Sequence, residues 1–247
     1  MTRTFKVLSA LLNYPTAELQ QAVGDMKAAL EAEKLLPSAA QRALWTLLDE
    51  IETGDLYDLQ ERYVLLFDRT RSLSLHLFEH IHGESRDRGQ AMIDLQNLYG
   101  QKGLEVSASE LPDFVPLFLE FLATQPREEA YELLGQPVHI LAAIAERLRK
   151  RDSAYESVFR ALVALAHAKP KGENVAAVLN EPDPDPNDFA ALDAAWEDEP
   201  VQFGPGAASN CKDDLAMRLR AGSRPAPGVS TPEPARPIIT YSPSNPA

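Results

Sequence analysis

Cysteine is nearly absent from this chain of 247 residues, which contains Cys211 alone. One cysteine excludes an intramolecular disulfide framework and a structural zinc site built from several thiolates, and it fits a reducing compartment. Long apolar runs are missing as well. The best stretches, Ile140 to Ala145 and Ala161 to Ala166, are far shorter than the roughly 20 residues that span a bilayer. The run from Val7 to Leu12 is too short for the core of a signal peptide. We therefore expect a cytoplasmic protein that does not insert into membranes.

Basic residues are the minority among the charged ones. The sequence has 24 Lys and Arg against 37 Asp and Glu, which gives a formal net charge of -13. A field of this sign repels phosphates, so the composition argues against a protein that binds nucleic acid. It favours partners with basic or apolar surfaces.

Alternating strand patterns are also missing, and the first 180 residues carry helical periodicity almost throughout. Apolar residues recur every three or four positions, as in Leu19, Val23, Met26 and Leu30. Each apolar face needs a covering helix, because burial of apolar surface is what offsets the loss of chain entropy. We therefore predict an all-α fold, a single compact bundle of roughly nine helices over residues 1–180.

Proline is scarce in that region and abundant after it. Of the 19 prolines, 7 precede residue 181 and 12 lie in residues 181–247. Residues 181–199 carry eight acidic side chains and no basic one. Such a composition buries too little apolar surface to fold on its own. We predict a second region, 181–247, as an acidic, Pro-rich and mostly disordered tail, and a docking segment for a partner within it is the alternative.

The segment from Tyr63 to Gln90 breaks the amphipathic pattern. Three of the five histidines, His76, His80 and His82, lie within seven positions, among apolar residues and alternating charges. This density of polar groups predicts a partly buried polar network at a junction between helices. Such a network must be almost fully hydrogen-bonded to be stable.

One stretch of this segment matches a catalytic motif in its residue types and spacing alone. The residues from His76 to His80 match the H-x-x-E-H pattern, in which two histidines one helical turn apart bind zinc and a glutamate activates water. A metal-dependent hydrolase that uses His76, Glu79 and His80 is therefore an alternative, although the sequence shows no third ligand. Nearby arginines could bind an anion, but their acidic neighbours favour ion pairs. A P-loop and a complete G-x-S-x-G motif are both missing, and hydrogen-bonded histidines are the favoured interpretation.

The same segment resembles a known protein family. Residues 76–90 read HLFEHIHGESRDRGQ and follow Phe67-Asp68-Arg69. This run is similar to the signature of the respiratory nitrate reductase assembly chaperones, the NarJ branch of the TorD-like redox-enzyme maturation proteins. Similarity extends through residues 110–113, 117–122 and 137–147, so the resemblance covers about residues 1–180 and also implies an all-helical bundle.

The resemblance implies a system-specific chaperone, not an enzyme and not a subunit of the finished reductase. Members bind the apo form of the catalytic (alpha) molybdenum subunit of nitrate reductase, chiefly its N-terminal peptide. They hold this subunit until the molybdopterin guanine dinucleotide cofactor is inserted, before the subunit docks to its membrane anchor. The chain would carry no cofactor of its own, and cofactor-delivery proteins are possible further partners.

The resemblance also implies where the peptide binds, and it implies neither a catalytic nor a metal-binding residue. A groove between helices can accept the apolar face of an amphipathic peptide helix, while acidic groups at the rim pair with basic residues of the peptide. The implied binding residues are Tyr63, Phe67, Asp68, Leu75, Phe78, Glu79, His80, His82, Gly83, Glu84, Ser85, Arg86, Asp87 and Arg88.

The chain departs from the family pattern at one point. Related chaperones often have Pro-Asp-His where this chain has Pro112-Asp113-Phe114, so no imidazole acts at position 114 here. We expect Asp113 to cap the following helix by accepting a backbone N–H, with peptide contact as the alternative. We expect Phe114 to pack in the core, with a place in the groove lining as the alternative.

Overall fold

The computed structural model describes residues 2–82, 87–104, 106 and 110–180, without the side chains of His82 and Asp87. Twelve α-helices and no β-strand occur in this part of the chain, which confirms the predicted all-α fold. The helices are α1 Arg3–Leu11, α2 Ala17–Gln21, α3 Val23–Glu33, α4 Ser38–Thr53, α5 Leu56–Tyr63, α6 Glu79–His82, α7 Asp87–Gln101, α8 Val115–Thr124, α9 Arg127–Gly135, α10 Val138–Lys150, α11 Glu156–Leu165 and α12 Gly172–Leu179. None of these helices has the length and apolarity needed to cross a membrane.

The described residues form more helices than the periodicity predicts. The stripe from Leu19 to Leu30, expected as one helix, is divided at Ala22 into α2 and α3. The four-residue α6 is too short to leave a periodic signal. The chain separates into two units, Met1–Ala191 and Leu192–Ala247, and every described residue belongs to the first unit. The predicted tail lies outside the described residues, so its disorder and its boundary at residue 180 stay predictions.

The core is built around α1, α8, α10 and α11. α1 packs against α8, and α10 packs against α11 and α12. The sequence of α8 contains a single charged residue, Glu120, and seven of its ten residues are buried. The hydroxyl of Ser9 in α1 donates to the carbonyl of Pro116 at 2.8 Å, which fixes the two helices at their crossing. α8 and α10 of this core also contact the segment that carries the site described below.

A turn of π-helix, Val64–Asp68, follows α5 and places an aromatic side chain in the core. The N–H of Arg69 donates to the carbonyl of Val64 at 2.9 Å, which widens the helix by one residue. Phe67 then packs against Tyr63 and Tyr155, with 5.1 Å between ring centroids in both pairs. The hydroxyl of Tyr63 donates to the carbonyl of Leu12 at 2.8 Å. The chain continues from this buried aromatic cluster to the site.

The N-terminus of α1 is capped from another helix. Thr2 at the N-cap position makes no side-chain cap. Instead, Glu33 of α3 accepts the backbone N–H groups of Arg3 at 2.6 Å and Thr4 at 2.8 Å, together with the hydroxyl of Thr4 at 2.7 Å. Burial opposes ionisation of Glu33, but these hydrogen bonds outweigh it and hold its pKa below the ordinary value.

Replacing Glu33 by Ala is expected to lower the free energy of unfolding by about 1 kcal/mol, the usual cost of losing a helix cap. Because the pKa of Glu33 is lowered by folding, its contribution is present above the unfolded-state pKa and disappears as the pH falls through the folded-state pKa. Urea unfolding of parent and variant between about pH 7 and about pH 3 measures this loss. Glu31→Ala, at an exposed position of α3, is the control and should change stability little.

Candidate functional site

A polar network follows the aromatic cluster, and we define it as Ser74, His76, Glu79, His80 and Asp113. The hydroxyl of Ser74 accepts the backbone N–H of His76 at 3.2 Å and also bonds the carboxylate of Glu79. The carbonyl of Ser74 lies 2.9 Å from Nε2 of His80, whose side chain is buried. The sequence predicts a hydrogen-bonded network in this segment, and the structure confirms it.

Asp113 supports the network from the start of α8. Its side chain is fully buried, and its Oδ2 accepts the backbone N–H of Phe78 at 3.0 Å. Its carbonyl accepts the N–H of Leu77 at 3.1 Å. One residue thus fixes the backbone that presents Leu77 and Phe78.

The expected helix cap by Asp113 is wrong. Phe114 occupies the N-cap position of α8, and no side chain caps that helix. The N–H of Val115 donates instead to the carbonyl of Leu75 at 2.8 Å, beside a single antiparallel bridge between His76 and Phe114. Asp113 precedes the N-cap position by one residue, and its carboxylate bonds His76 and the backbone of Phe78 in the segment across the bridge.

His76 connects the network to the bridge. Its Nδ1 lies 3.3 Å from Oδ1 of Asp113, and its ring centroid lies 5.4 Å from that of Phe114. The hydrogen bond to Asp113 raises the pKa of His76, and the opposing effect of burial is smaller. His76 therefore carries positive charge to a higher pH than a free histidine does. Phe114 packs partly against the hydrophobic core, as expected.

Glu79 and Arg88 form an ion pair where the network meets the surface. Arg88 Nη2 lies 3.2 Å from Glu79 Oε1, and both side chains are mostly buried. Burial raises the pKa of Glu79, but hydrogen bonds from Ser74 and Arg88 lower it more strongly, so the carboxylate is held ionised. This pair joins α6 to α7.

The zinc-binding geometry of the H-x-x-E-H pattern does not form. The pattern requires both histidines on one helix, but α6 begins at Glu79, so His76 precedes it. The imidazoles bond Asp113 and the carbonyl of Ser74 instead. Within the described residues no three His, Cys, Asp or Glu side chains are grouped so that they could hold a metal ion.

An apolar groove lies beside the polar network, with a volume of about 180 Å³. Its wall includes Leu95 and Leu98 from α7, which face side chains from α6, α8 and α9. Ile81 is 51% exposed at its edge. The lining residues are Leu77, Phe78, Ile81, Leu95, Leu98, Phe118, Leu133, Gln136 and Pro137. Gln136 is the one polar member of this set, so the groove suits an apolar ligand surface.

The implied site residues occupy different environments. Tyr63, Phe67 and Leu75 are buried in the core, whereas Asp68 is exposed. Phe78 lines the apolar groove. Glu79 and His80 belong to the polar network, and Arg88 forms an ion pair with Glu79. His82 lies in α6 and Asp87 in α7, but their side chains are outside the described part of the structure. The implied residues Gly83, Glu84, Ser85 and Arg86 lie wholly outside the described residues.

Most of the groove lining is absent from the site that the sequence implies. The lining residues outside that implied site are Leu77, Ile81, Leu95, Leu98, Phe118, Leu133, Gln136 and Pro137. The sequence of α7 carries one relevant pattern, the helical spacing of Leu95, Leu98 and Tyr99. In the structure Tyr99 is fully buried, whereas Leu95 and Leu98 are half-buried. The spacing alone would place all three in the core, so it does not distinguish the two groove residues from the core residue.

The sequence of the chain is similar to that of one known protein family. The sequence model of the nitrate reductase delta subunit family matches residues 15–161. NarJ of Escherichia coli (strain K12), named as a nitrate reductase molybdenum cofactor assembly chaperone, is 45% identical over 80% of this chain and 83% of its own length. NarW of the same strain and NarJ of Bacillus subtilis (strain 168) are named as probable chaperones of that kind. NarW is 36% identical over 83% of this chain and 86% of its own length.

The Bacillus protein is 34% identical over 65% of this chain and 86% of its own length. The family model therefore covers more than half of the chain, and the relatives are matched over most of their lengths. The matched region contains the polar network and the whole lining of the apolar groove. The chain belongs to the nitrate reductase delta subunit family.

Proposed function

We propose that this chain is a chaperone, not an enzyme, that assists insertion of the molybdenum cofactor into a nitrate reductase. Its relatives are named for this activity, and it shares their sequence across both the network and the groove. The cofactor, molybdopterin guanine dinucleotide, is the cargo of the partner enzyme. The chain itself would only recognise protein, in the cytoplasm and together with cofactor-delivery proteins.

The partner surface in this proposal is the N-terminal peptide of the apo catalytic (alpha) subunit, bound as an amphipathic helix. The observation that carries the proposal is the apolar groove, whose lining is apolar except for Gln136. A groove of this kind accepts apolar side chains that recur at every third or fourth position of a helix. Ile81, which is half-exposed at the edge of the groove, gives the peptide an apolar contact there.

Charge supports a basic peptide as the occupant. The chain has a net charge of -13, so its field attracts a basic segment and speeds association. Glu132 is exposed on α9, directly before the groove residue Leu133 and one helical turn before Gln136. A carboxylate at this rim can pair with a basic side chain of a peptide whose apolar face occupies the groove.

Binding the peptide would also delay assembly of the reductase. A catalytic subunit whose N-terminus is held in the groove would remain with the chaperone until the cofactor is inserted, before membrane anchoring. In cells that respire nitrate and lack this chain, we expect the reductase to contain little molybdenum. Normal molybdenum content of the reductase purified from such cells would contradict the chaperone function.

Calorimetry with a synthetic N-terminal peptide of the catalytic subunit tests the peptide site directly. We expect saturable heat and a higher thermal unfolding midpoint. Peptide at about 100 times its dissociation constant should add about 2.7 kcal/mol to the free energy of unfolding. The control is a peptide in which the apolar residues of one helical face are replaced by Asp. Absence of heat with the native peptide, or equal heat with both peptides, would contradict binding through the groove.

A further inference from the structure

Arg147 of α10 is a charged side chain enclosed in the core. It is 1% exposed and is the largest of the fully buried side chains in the described residues. Its Nη1 donates to the carbonyl of Ser72 at 2.8 Å, and its Nη2 donates to the carbonyl of Val178 at 2.7 Å. One guanidinium therefore joins α10 to two segments that are distant in sequence.

The chemistry of this joint requires arginine. A buried cation is costly unless its donors are hydrogen-bonded, so the two carbonyls are held close to the guanidinium. The planar fork presents separate N–H donors in fixed directions, whereas lysine offers a single nitrogen. A movement of either carbonyl would therefore disturb the bond to the other one.

The carbonyl of Ser72 lies just before the segment of residues 74–80, which carries most of the polar network and the groove residue Phe78. Ser72 belongs to a turn of 3-10 helix, Arg71–Leu73, and is itself buried. Ser74 follows two residues later as the centre of the polar network, with bonds to His76, Glu79 and His80. The groove residue Phe78 lies within this hydrogen-bonded loop. A displacement of Ser72 would therefore displace Phe78 and change the shape of the groove.

The carbonyl of Val178 belongs to α12, which lies beyond the residues that the family model matches. Val178 is the buried residue of that helix, while Ala176 and Ala177 are exposed. Val175 and Leu179 are half-buried, so α12 docks on α10 through these apolar side chains and Val178 as well as through the bond to Arg147.

We infer that Arg147 is a positioning residue for the apolar groove. Tight peptide binding then requires that α12 be docked, because the carbonyl of Val178 in α12 holds the Arg147 guanidinium in the place from which it bonds Ser72. The inference rests on the proposed function and assigns a part of the binding unit to a helix outside residues 15–161, the region that the family model matches. Arg147 contacts no peptide in this arrangement. It sets the place of Ser72 and thereby the shape of the loop that carries Phe78.

Point variants of the full chain test this inference. Arg147→Met and Val178→Asp should each weaken binding of the N-terminal reductase peptide about tenfold. The double variant should bind about as weakly as either single variant, because both changes break the same connection. Matched controls are Arg149→Met, an exposed arginine of α10 paired with Glu146, and Ala177→Asp on the exposed side of α12. Both controls should bind like the parent.

Affinities are measured well below the unfolding midpoints of all variants, so that a loss of stability alone does not change them. As a second readout, nuclear magnetic resonance of the imidazoles should show shifted His76 and His80 signals in Arg147→Met and Val178→Asp, and unshifted signals in the controls. Arg147→Lys serves if the Met variant does not fold, with the same expectations.

The outcomes are distinct. A parent chain that binds no peptide overturns the proposed function. A parent chain that binds, together with variants of parental affinity and unshifted imidazole signals, overturns only the role of Arg147 and α12. Independent losses that multiply in the double variant would also overturn the coupling through Arg147.

Discussion

Replacing Ile81 by Asp is expected to weaken peptide binding about thirtyfold, because it puts an unpaired charge against the apolar face of the bound peptide. Ile81 lines the apolar groove and is 51% exposed. A bound peptide helix would cover this position, and a carboxylate there would lose its water without gaining a partner. The chain should still fold, because a half-exposed side chain contributes little to the core. Calorimetric titration of the peptide into parent and variant measures the loss.

Ile93 provides the matched control for Ile81. It is 53% exposed, so its replacement by Asp removes a similar apolar surface and adds the same charge. It lies on α7 but does not line the groove. Ile93→Asp should therefore bind the peptide with nearly parental affinity, and both variants should unfold within about 0.5 kcal/mol of the parent. Equal losses in the two variants would mean that charge alone weakens binding and that the groove is not the site.

The helical class could be predicted because its cause is local. Apolar stripes at helical spacing must be buried against other helices, and Pro or Gly marks where the longer helices end. The short helices could not be predicted in this way. α6 has four residues and contributes less than one full heptad of pattern. The division at Ala22 leaves the apolar stripe of Leu19 and Leu30 unchanged, so the sequence carries no mark of it.

The polar network could be foreseen from residue density, but its partners could not. Three histidines within seven positions indicate hydrogen bonding because unbonded imidazoles would be costly to bury. The atoms that satisfy them are set by tertiary structure. Asp113 lies 37 residues from His76, and His80 bonds a backbone carbonyl, which any residue could supply.

The apolar groove was the least predictable feature. Its lining spans residues 77 to 137 and comes from four helices, each of which contributes one or two side chains, and from residues that precede α6 or follow α9. No local pattern distinguishes an apolar residue that lines a groove from one in the core. Phe67 and Phe78 illustrate this: both are aromatic and both are implied by the resemblance, but one is buried beside Tyr155 and the other lines the groove.

Replacing Asp113 by Ala is expected to lower the free energy of unfolding by about 2 to 4 kcal/mol and to abolish measurable peptide binding. The carboxylate is fully buried, accepts the N–H of Phe78 at 3.0 Å, and lies 3.3 Å from Nδ1 of His76. Alanine would leave both groups without this acceptor. The backbone that presents Leu77 and Phe78 to the groove would then lose its support, so binding should fail in molecules that remain folded.

The loss of stability in Asp113→Ala should depend on pH in a defined direction. The hydrogen bond to Asp113 raises the pKa of His76 in the folded state. Its contribution is therefore fully present below the unfolded-state pKa and disappears as the pH rises through the folded-state pKa. Urea unfolding between about pH 5 and 8 should show the larger difference between parent and variant at the acidic end.

Asp113→Asn separates the two roles of the carboxylate. The amide oxygen can still accept the N–H of Phe78, but the amide carries no charge to favour protonated His76. The Asn variant should therefore retain part of the stability and most of the peptide affinity. The unfolding free energy that it loses relative to the parent should be the pH-dependent contribution of the interaction between Asp113 and protonated His76. If Asn and Ala were equally destabilised at every pH, the bond to the backbone of Phe78 would contribute nothing. The groove would then owe its shape to packing rather than to Asp113.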